Sequence, residues 1–446
     1  MQHDRSRPAP AARRAPRTTR KSRFVRSGLL FAGLFATGAV HAVDFGPFSL
    51  TGFGKAEAGW VSNYCDTCQR EPGEDRQRKW ADDLVYGKHY GSEFLHGWLF
   101  QPNLGVKFDL PRGFKISANL SQRWRDGDPD FPGYLYDRSI TLKHEDYGAL
   151  QIGAFTSRTW AFADYPYATD IGQSPAFSDS GAGYGLLTHA IRYTSRIFDV
   201  AEGDMVLELT WDQGNTDFEI NKPRLLEFWL HYGSEKLRLE AMVQDTRNGR
   251  PTAFGHGPFT SLTGNPADDA KLGSSAQGIA MLLAKYQLDP RWELSGGIRF
   301  NRWSGAYAVQ TGGDQWNAMF NVDWGGYDAN GMPNPGYAAR STDFMAGARY
   351  RLDSHWTALV GTTYLGKATT DNPSERGQDN WALFGSAGLN YDFGNGVQVY
   401  GSLNAVKYGH KGFAPLSMPA HSAFSEIDSR VTDRGNWLKF GTIFVF

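Results

Sequence analysis

Apolar and polar side chains alternate along most of the chain from residue 48 onward. In residues 236–245 every second position from 237 to 243 carries Leu, Ala or Val, and most positions between them are charged or carry an amide. Residues 291–301 and 396–404 repeat the pattern. Because successive side chains of a strand point to opposite faces, a period of two predicts strands with one apolar and one polar face.

About sixteen segments show this alternation, and many of them exceed the length of strands in soluble proteins. The predicted strands are 48–61, 98–110, 113–125, 134–145, 147–158, 190–197, 204–212, 223–233, 236–247, 275–289, 291–303, 341–351, 354–367, 379–393, 396–408 and 434–446.

The connections between these strands alternate between short and long. Tight turns begin at Leu110, Tyr232, Leu288, Leu352 and Phe393. An even number of strands with short turns at one end and long loops at the other is typical of outer-membrane barrels. The pattern predicts an all-β fold, a 16-stranded antiparallel transmembrane β-barrel. Its long loops are predicted at 62–93, 126–133, 159–189, 213–222, 248–274, 304–340, 368–378 and 409–433.

A sheet that spans hydrocarbon has to close on itself, because lipid offers no partner to an unpaired strand edge. We therefore expect the strand near Phe48 to lie beside the strand that ends at Phe446. Aromatic residues beside the short turns have the parity of the apolar face, which predicts an aromatic girdle at the membrane interface. They are Phe108, Phe114, Tyr232, Tyr286, Trp292, Tyr350, Trp356, Tyr391 and Phe393.

The N-terminal segment differs from the rest of the chain. Residues 1–27 carry nine basic side chains and one acidic one, and an apolar run from Gly28 to Val40 follows. The run ends in a small-x-small sequence at Ala42, which predicts a cleaved secretory signal peptide at 1–42. Its removal leaves 404 residues with 37 basic and 46 acidic side chains, so the net charge changes from −1 to −9.

Three segments resemble the general porins of Gram-negative outer membranes, the 16-stranded Neisseria and Burkholderia type. Residues 49–55 (SLTGFGK) resemble the opening strand of these porins, 104–108 (LGVKF) the second strand, and 191–195 (IRYTS) the sixth. The order and spacing of the three extend the resemblance over 43–446. It implies a homotrimer of water-filled barrels in the cell outer membrane, each narrowed by a third loop, here 159–189, that folds inward.

The resemblance also implies what such a barrel passes and contacts. Ions and small hydrophilic solutes would cross by passive diffusion. The expected partners are outer-membrane lipid, lipopolysaccharide and the barrel assembly machinery. The alternating last strand ends in Phe446, and a terminal aromatic residue resembles the signal by which that machinery recognises Gram-negative barrels.

In these porins basic wall residues face acidic residues of the third loop. Lys55 and Arg192 fall on matching wall positions, and Arg123 has the parity of the lumen face. The acidic candidates on the loop are Asp164, Asp170 and Asp179.

The sequence departs from the family pattern at two constriction positions. Ala176 stands where Glu is usual and Ala154 where Arg is common, so we expect a less polarised constriction. The loop is instead aromatic, which favours rings packed against the wall and leaves open a channel specific for sugars or aromatic acids. The rings belong to Tyr165, Tyr167, Phe177 and Tyr184.

Other motifs have simpler explanations. Cys65 and Cys68 are predicted to form a local disulfide in an external loop of an oxidising compartment, since a redox pair lacks its strand-to-helix context and zinc would require two more suitably spaced ligands. Residues 126–130 (DGDPD) lack the length of an EF-hand loop, so a solvated turn is favoured over a calcium site.

The remaining function classes are less compatible with the sequence. The acidic mature chain argues against nucleic-acid binding. No motif indicates a cofactor or a metal, and the scattered histidines lack the Ser or Asp signature of a barrel enzyme. A receptor or adhesion barrel stays as an alternative to a pore.

Overall fold

The computed structural model describes residues 43–63, 93–129, 135–159, 186–213, 224–247, 276–304, 338–370, 377, 379–410, 415 and 433–446. The segment predicted as a signal peptide lies outside these residues, as do Cys65, Cys68 and nearly all of the predicted third loop before residue 186. No helix among the described residues is long and apolar enough to cross a bilayer.

Sixteen long strands form the sheet, and we number them in chain order. They are β1 Phe48–Asn63, β2 Glu93–Asp109, β3 Lys115–Ser121, β4 Asp137–His144, β5 Gly148–Thr156, β6 Leu186–Thr194, β7 Gly203–Asp212, β8 Arg224–Gly233, β9 Leu237–Arg247, β10 Ala276–Gln287, β11 Trp292–Ser304, β12 Ala339–Arg351, β13 Trp356–Leu365, β14 Ala382–Asp392, β15 Val397–Tyr408 and β16 Arg434–Val445. Shorter elements are strands Val43–Phe45, Trp124–Arg125, Asp128–Pro129, Phe198–Val200 and Thr369–Thr370, and a 3₁₀ turn, Pro111–Gly113.

Consecutive strands pair antiparallel around a closed ring, and the last strand pairs with the first. The β1–β16 register runs from Phe53 opposite Val445 to Asn63 opposite Gly435. Beyond it, the N–H of Gly52 donates to the carbonyl of Phe446 over 2.8 Å, and the N–H of Phe446 donates back over 3.0 Å. The predicted closure is confirmed.

The two faces of the sheet differ as the alternation predicts. Outward side chains are apolar and exposed, as for Ile140, Leu403 and Phe440, each more than half exposed. The tight turns lie at one end of the barrel, the short-turn end, where Phe108, Tyr286, Trp292, Trp356 and Phe393 face outward. The opposite end is the long-connection end. An apolar outer face bordered by aromatic rings is the surface of a membrane-spanning barrel.

Several strand boundaries were predicted wrongly. β2 begins at Glu93 rather than at 98, and β3 ends at Ser121 rather than at 125. β6 begins at Leu186, four residues before the predicted start, so the connection after β5 ends at 185 rather than 189. A bulge in β5 shifts the register, since Gly153 pairs with Ala190 whereas Phe155 pairs with Leu187. Gly153 has a φ of 135°, which a glycine adopts without strain. Two consecutive leucines at 186–187 conceal the alternation at this point.

Candidate pore lining

The seam between the first and last strands carries a cluster of inward charges. Lys55 is buried, with Nζ 3.6 Å from Oε2 of Glu57. Lys439 places its Nζ 3.1 Å from Oε1 of the same carboxylate, and the Tyr400 hydroxyl donates a hydrogen bond to Glu57. Two bases therefore contact the carboxylate of Glu57.

Arg192 belongs to a second cluster, on the wall formed by β6, β7 and β8. Its Nε donates to Oγ1 of Thr210 over 2.8 Å, and its Nη2 donates to the carbonyl of Thr156 over 2.9 Å. The guanidinium lies 3.7 Å from Glu208 and 3.6 Å from Glu227. The predicted wall base is thus held between two carboxylates.

The chain turns into the lumen immediately after β5. The N–H groups of Arg158 and Thr159 donate to the two oxygens of Glu227, over 2.9 and 3.0 Å. Glu227 lies in β8, three strands along the wall from β5, or roughly 14 Å at about 4.8 Å per strand. The chain must therefore leave the wall and cross the inner face of β6 and β7 to reach this carboxylate.

The side chains of the same two residues strengthen this anchor. The Arg158 guanidinium binds Glu208 through both Nε and Nη2 and lies over the ring of Trp229, 5.1 Å from its centre. The Thr159 hydroxyl donates to Glu227 and accepts from Nε2 of Gln244, both over 2.8 Å. Bidentate Arg–carboxylate contacts fix orientation as well as distance. The start of the connection between β5 and β6 is therefore held rigidly.

Arg123 lies in a break between β3 and the short strand that follows it. Its Nη1 donates to the Tyr136 hydroxyl over 3.0 Å, and its guanidinium lies 4.9 Å from the centre of that ring. Arg125 is also buried. This part of the wall therefore holds two guanidinium groups.

Further ion pairs lie toward each end of the barrel. At the long-connection end, Asp343 accepts from Arg299 Nη2 over 2.9 Å, from Asn301 over 2.7 Å and from the Gly366 N–H over 2.9 Å. At the short-turn end, Glu293 lies 2.7 Å from Lys285 and 3.6 Å from Arg349. Beside it Glu240 accepts from Arg238 over 2.8 Å.

The inner wall also contains an apolar patch. It lies between the charged groups near the short turns and the carboxylates at mid-height, and its side chains are at most 4% exposed. Strict alternation predicts a polar residue at each inward position, so the patch is a local departure from the pattern. Its residues are Val206, Trp229, Met242, Met281, Leu283 and Met345.

The structure brings some predicted site residues together and separates others. Arg192 shares its cluster with the carboxylates of β7 and β8, whereas Lys55 belongs to the seam and Arg123 to the β3 break. Phe446 lies at the seam, with its ring stacked 6.0 Å from that of Phe100. Three predicted loop acids, Asp164, Asp170 and Asp179, fall outside the described residues.

Several inward charged residues were missed by the sequence analysis, and Arg158 and Asp343 illustrate why. Arg158 lies beyond the end of β5, where alternation no longer gives orientation, and its partners are 50 and 69 residues away. Asp343 lies inside a predicted strand with the parity of Ser341 and Met345, all three buried. The pattern therefore contained a signal for Asp343 and none for Arg158.

Comparisons with known proteins relate this chain to porins through structure. No family model and no curated protein sequence matches it. An anion-selective porin from Comamonas acidovorans aligns over 90% of this chain and 99% of its own, with 13% identity and a TM-score of 0.57. The outer-membrane OmpT of Vibrio cholerae covers 91% and 100% at 9% identity and 0.54.

A third similar structure is OmpF of Salmonella typhi in complex with daunomycin. It covers 91% of this chain and 100% of its own, with 11% identity and a TM-score of 0.52. At these identities the likeness establishes the fold. The chain has the 16-stranded barrel fold of Gram-negative outer-membrane porins, as the sequence resemblance implied.

Proposed function

We propose that this chain forms a water-filled pore in a Gram-negative outer membrane, through which ions and small hydrophilic solutes diffuse passively. The observation that carries the proposal is the closed sheet with an apolar outer face and charged groups on its inner face. Buried charges are costly unless they are paired or solvated, and a hydrated lumen provides solvation along the wall. The porin fold of the chain supports the same function.

The inner charges give the pore a means of discriminating among solutes. Lys55 lies in β1, Lys439 in β16, and Arg123 and Arg125 in the segment after β3. The carboxylates of Glu208 and Glu227 lie in β7 and β8. Low-dielectric walls focus the field between such groups, and rings of charge bias which ion enters. Asp164, Asp170 and Asp179 would complete the constriction from the loop side.

The anchor at Glu227 supports an inward third loop as the narrowest part of the pore. It fixes the first residues of that connection to β8, three strands from its origin in β5. The loop would then be joined to β5 and β6 at its ends and held against β8 by the hydrogen bonds of Arg158 and Thr159.

The rest of the proposal concerns the setting of the barrel. Cleavage of residues 1–42 during export, a terminal Phe446 recognised by the barrel assembly machinery, a Cys65–Cys68 disulfide and a homotrimeric state all follow from the same outer-membrane role. A pore of this kind needs no cofactor and catalyses no reaction.

Liposome swelling tests the function and its nearest alternative. Purified protein is reconstituted into liposomes and challenged with sugars, amino acids and aromatic acids of increasing mass. A general pore gives swelling rates that fall smoothly with solute mass, whatever the chemical class. Rates far above that trend for sugars or aromatic acids alone would indicate a specific channel, and no swelling with any solute would contradict the proposal.

A further inference from the structure

We propose that the inner wall of β12–β15 contains a binding site for a neutral sugar, centred on three glycines. The inference rests on the proposed pore function and names a solute class that the wall would bind during passage. The glycines are Gly347, Gly361 and Gly388, in β12, β13 and β14. Each is partly exposed, so a solute in the lumen can reach the backbone there.

The three glycines make a shallow recess in the inner wall. Gly347 lies directly opposite Gly361, and Gly361 lies opposite Ser386, which precedes Gly388 by two positions. A glycine has no Cβ, so two opposed glycines beside a serine leave the wall close to the level of its backbone. The recess extends from β12 to β14, or roughly 10 Å at about 4.8 Å per strand.

Polar atoms without a partner surround the recess. Within the described part of the chain, no hydrogen bond is made by the hydroxyl of Thr363, by Oδ1 of Asn390, or by Nε and Nη2 of Arg349. Each of these residues follows one of the glycines by two positions and therefore shares its face of the sheet. Because neighbouring strands are antiparallel, Thr363 lies on one side of the recess and the other two residues lie on the opposite side.

These atoms require a partner from outside the wall. Thr363 is fully buried and Asn390 is 7% exposed, and buried polar atoms in proteins nearly always have a hydrogen-bond partner. The remaining polar atoms of the cluster are satisfied. The amide nitrogen of Asn390 donates to Oε1 of Gln398 over 3.4 Å, and Nη1 of Arg349 lies 3.6 Å from Glu293.

The unpartnered atoms select a ligand that carries hydroxyl groups. The Arg349 nitrogens can only donate, the Asn390 oxygen can only accept, and the Thr363 hydroxyl can do either. A phosphate or carboxylate ion offers acceptors alone and would leave the Asn390 oxygen unsatisfied. A cation would be repelled by the guanidinium group. A hydroxyl group both donates and accepts, so a polyhydroxy solute satisfies all three residues.

An apolar surface beside the recess favours a sugar ring over an open-chain polyol. Leu359 of β13 and Tyr400 of β15 form one apolar cluster across β14, and Leu359 lies opposite Gly388. The Tyr400 ring is positioned by the hydrogen bond that its hydroxyl donates to Glu57. The C–H groups of a pyranose ring form an apolar face that can pack on this surface while the hydroxyls at its edge reach the polar atoms.

Saturation-transfer NMR measures sugar binding directly. The protein is folded in a detergent without a sugar headgroup, and D-glucose is titrated against wild type, Thr363→Val and Thr141→Val. Thr363→Val replaces the hydroxyl by a methyl group of similar shape, and we expect about fivefold weaker binding, or about 1 kcal/mol at 1.4 kcal/mol per tenfold. Thr141→Val is the matched control, because Thr141 is a buried threonine of β4, and it should leave the affinity unchanged.

Two further solutes test the chemistry of recognition. Tetraethylene glycol dimethyl ether has acceptors and no donors, so it should show no saturable binding. Sorbitol carries the hydroxyls without the ring and should bind more weakly than glucose. Saturable binding of the ether, or sorbitol binding as tight as that of glucose, would overturn the proposal.

Controls separate this proposal from folding and from pore function. Thr363→Val removes a hydroxyl that has no partner, so its urea midpoint should be no lower than that of wild type. Asn390→Leu should also lose affinity, so a folding failure of one variant does not decide the outcome. Equal glucose affinity of wild type and both variants, or no saturation in wild type, would overturn the sugar site. Glucose binding without solute flux would contradict the proposed pore and leave the sugar site standing.

Discussion

The guanidinium of Arg158 lies against the carboxylate of Glu208, with Nε 2.5 Å from Oε2 and Nη2 2.9 Å from Oε1. This pair joins a residue beyond the end of β5 to the middle of β7, across the lumen side of β6. A side chain from a connecting segment thereby becomes part of the inner wall. The position of the connection depends on charge pairing rather than on strand pairing.

Arg158→Gln is expected to widen the pore and destabilise the barrel. Breaking a buried ion pair by removing one partner costs about 3–5 kcal/mol of stability. The connection after β5 also loses its ion pair with Glu208 of β7. Single-channel conductance should rise, and the urea midpoint of the protein in lipid vesicles should fall. Lys367→Gln is the control, because Lys367 and Asp379 form an exposed pair of the kind that contributes about 1 kcal/mol or less.

Unchanged conductance together with a reduced urea midpoint would mean that the Arg158 pair stabilises the wall without setting the pore width. An unchanged midpoint would contradict the buried-pair account itself.

Arg192→Ala is expected to shift the reversal potential in a KCl gradient toward cations. Arg192 and Arg158 balance Glu208 and Glu227, so removal of one base leaves the cluster with a net negative charge. A negative wall favours cation entry. Arg196→Ala removes an exposed base over Phe198 near the short turns and serves as the control. An unchanged reversal potential would remove Arg192 from the conduction path.

Gly54→Ala is expected to weaken the closing seam. Gly54 faces outward under the ring of Phe444, and a Cβ at this position would overlap that ring. Overpacking of this kind costs about 1–3 kcal/mol. Gly385→Ala is the matched control, because no described atom lies within 4 Å of its Cβ position. Vesicle unfolding by urea should show a lower midpoint for Gly54→Ala alone, and equal midpoints would contradict the close packing at the seam.

Acid is expected to loosen the short turn between β12 and β13. Asp353 Oδ1 accepts from the N–H groups of His355 and Trp356, both over 2.8 Å, and these bonds lower the pKa of the Asp353 carboxyl. Because the folded pKa lies below the unfolded value of about 3.9, the stabilisation is present above that value. It is lost as pH falls through the folded pKa.

An NMR titration of the Trp356 amide checks this turn. Its shift should move with an apparent pKa below about 3.9, and Asp353→Asn should abolish the titration. A midpoint at or above the value of a free Asp would contradict the hydrogen-bonded carboxylate.

Alternation predicted the barrel because every spanning strand turns one face toward lipid and the other toward the lumen. The predicted strand at 396–408 is observed at Val397–Tyr408, and that at 236–247 at Leu237–Arg247. The same parity placed Arg123 on the inner face, and the family resemblance placed Lys55 and Arg192 on the wall; all three side chains are buried. The prediction was wrong where the rule is locally broken, as at the bulge that moved the start of β6.

Residue clusters were harder to predict than residue orientation. Parity gives the face of Glu208, Glu227 and Arg192, but their contacts depend on which strands are neighbours and on their register. Alternation does not predict the orientation of Arg158, because this residue lies outside the strands. Arg158 belongs to the inner wall because the main chain after β5 turns into the lumen. Its N–H there donates to Glu227, which is 69 residues away.

A planar bilayer recording tests the central claim, that the lumen of the closed barrel conducts. Purified, folded protein should insert to give stepwise currents that scale with the conductivity of the salt solution, with three levels per insertion event for the proposed trimer. Steps of a single level would contradict the trimer and leave the pore intact. A bilayer that stays silent after confirmed insertion of folded barrels would contradict the account.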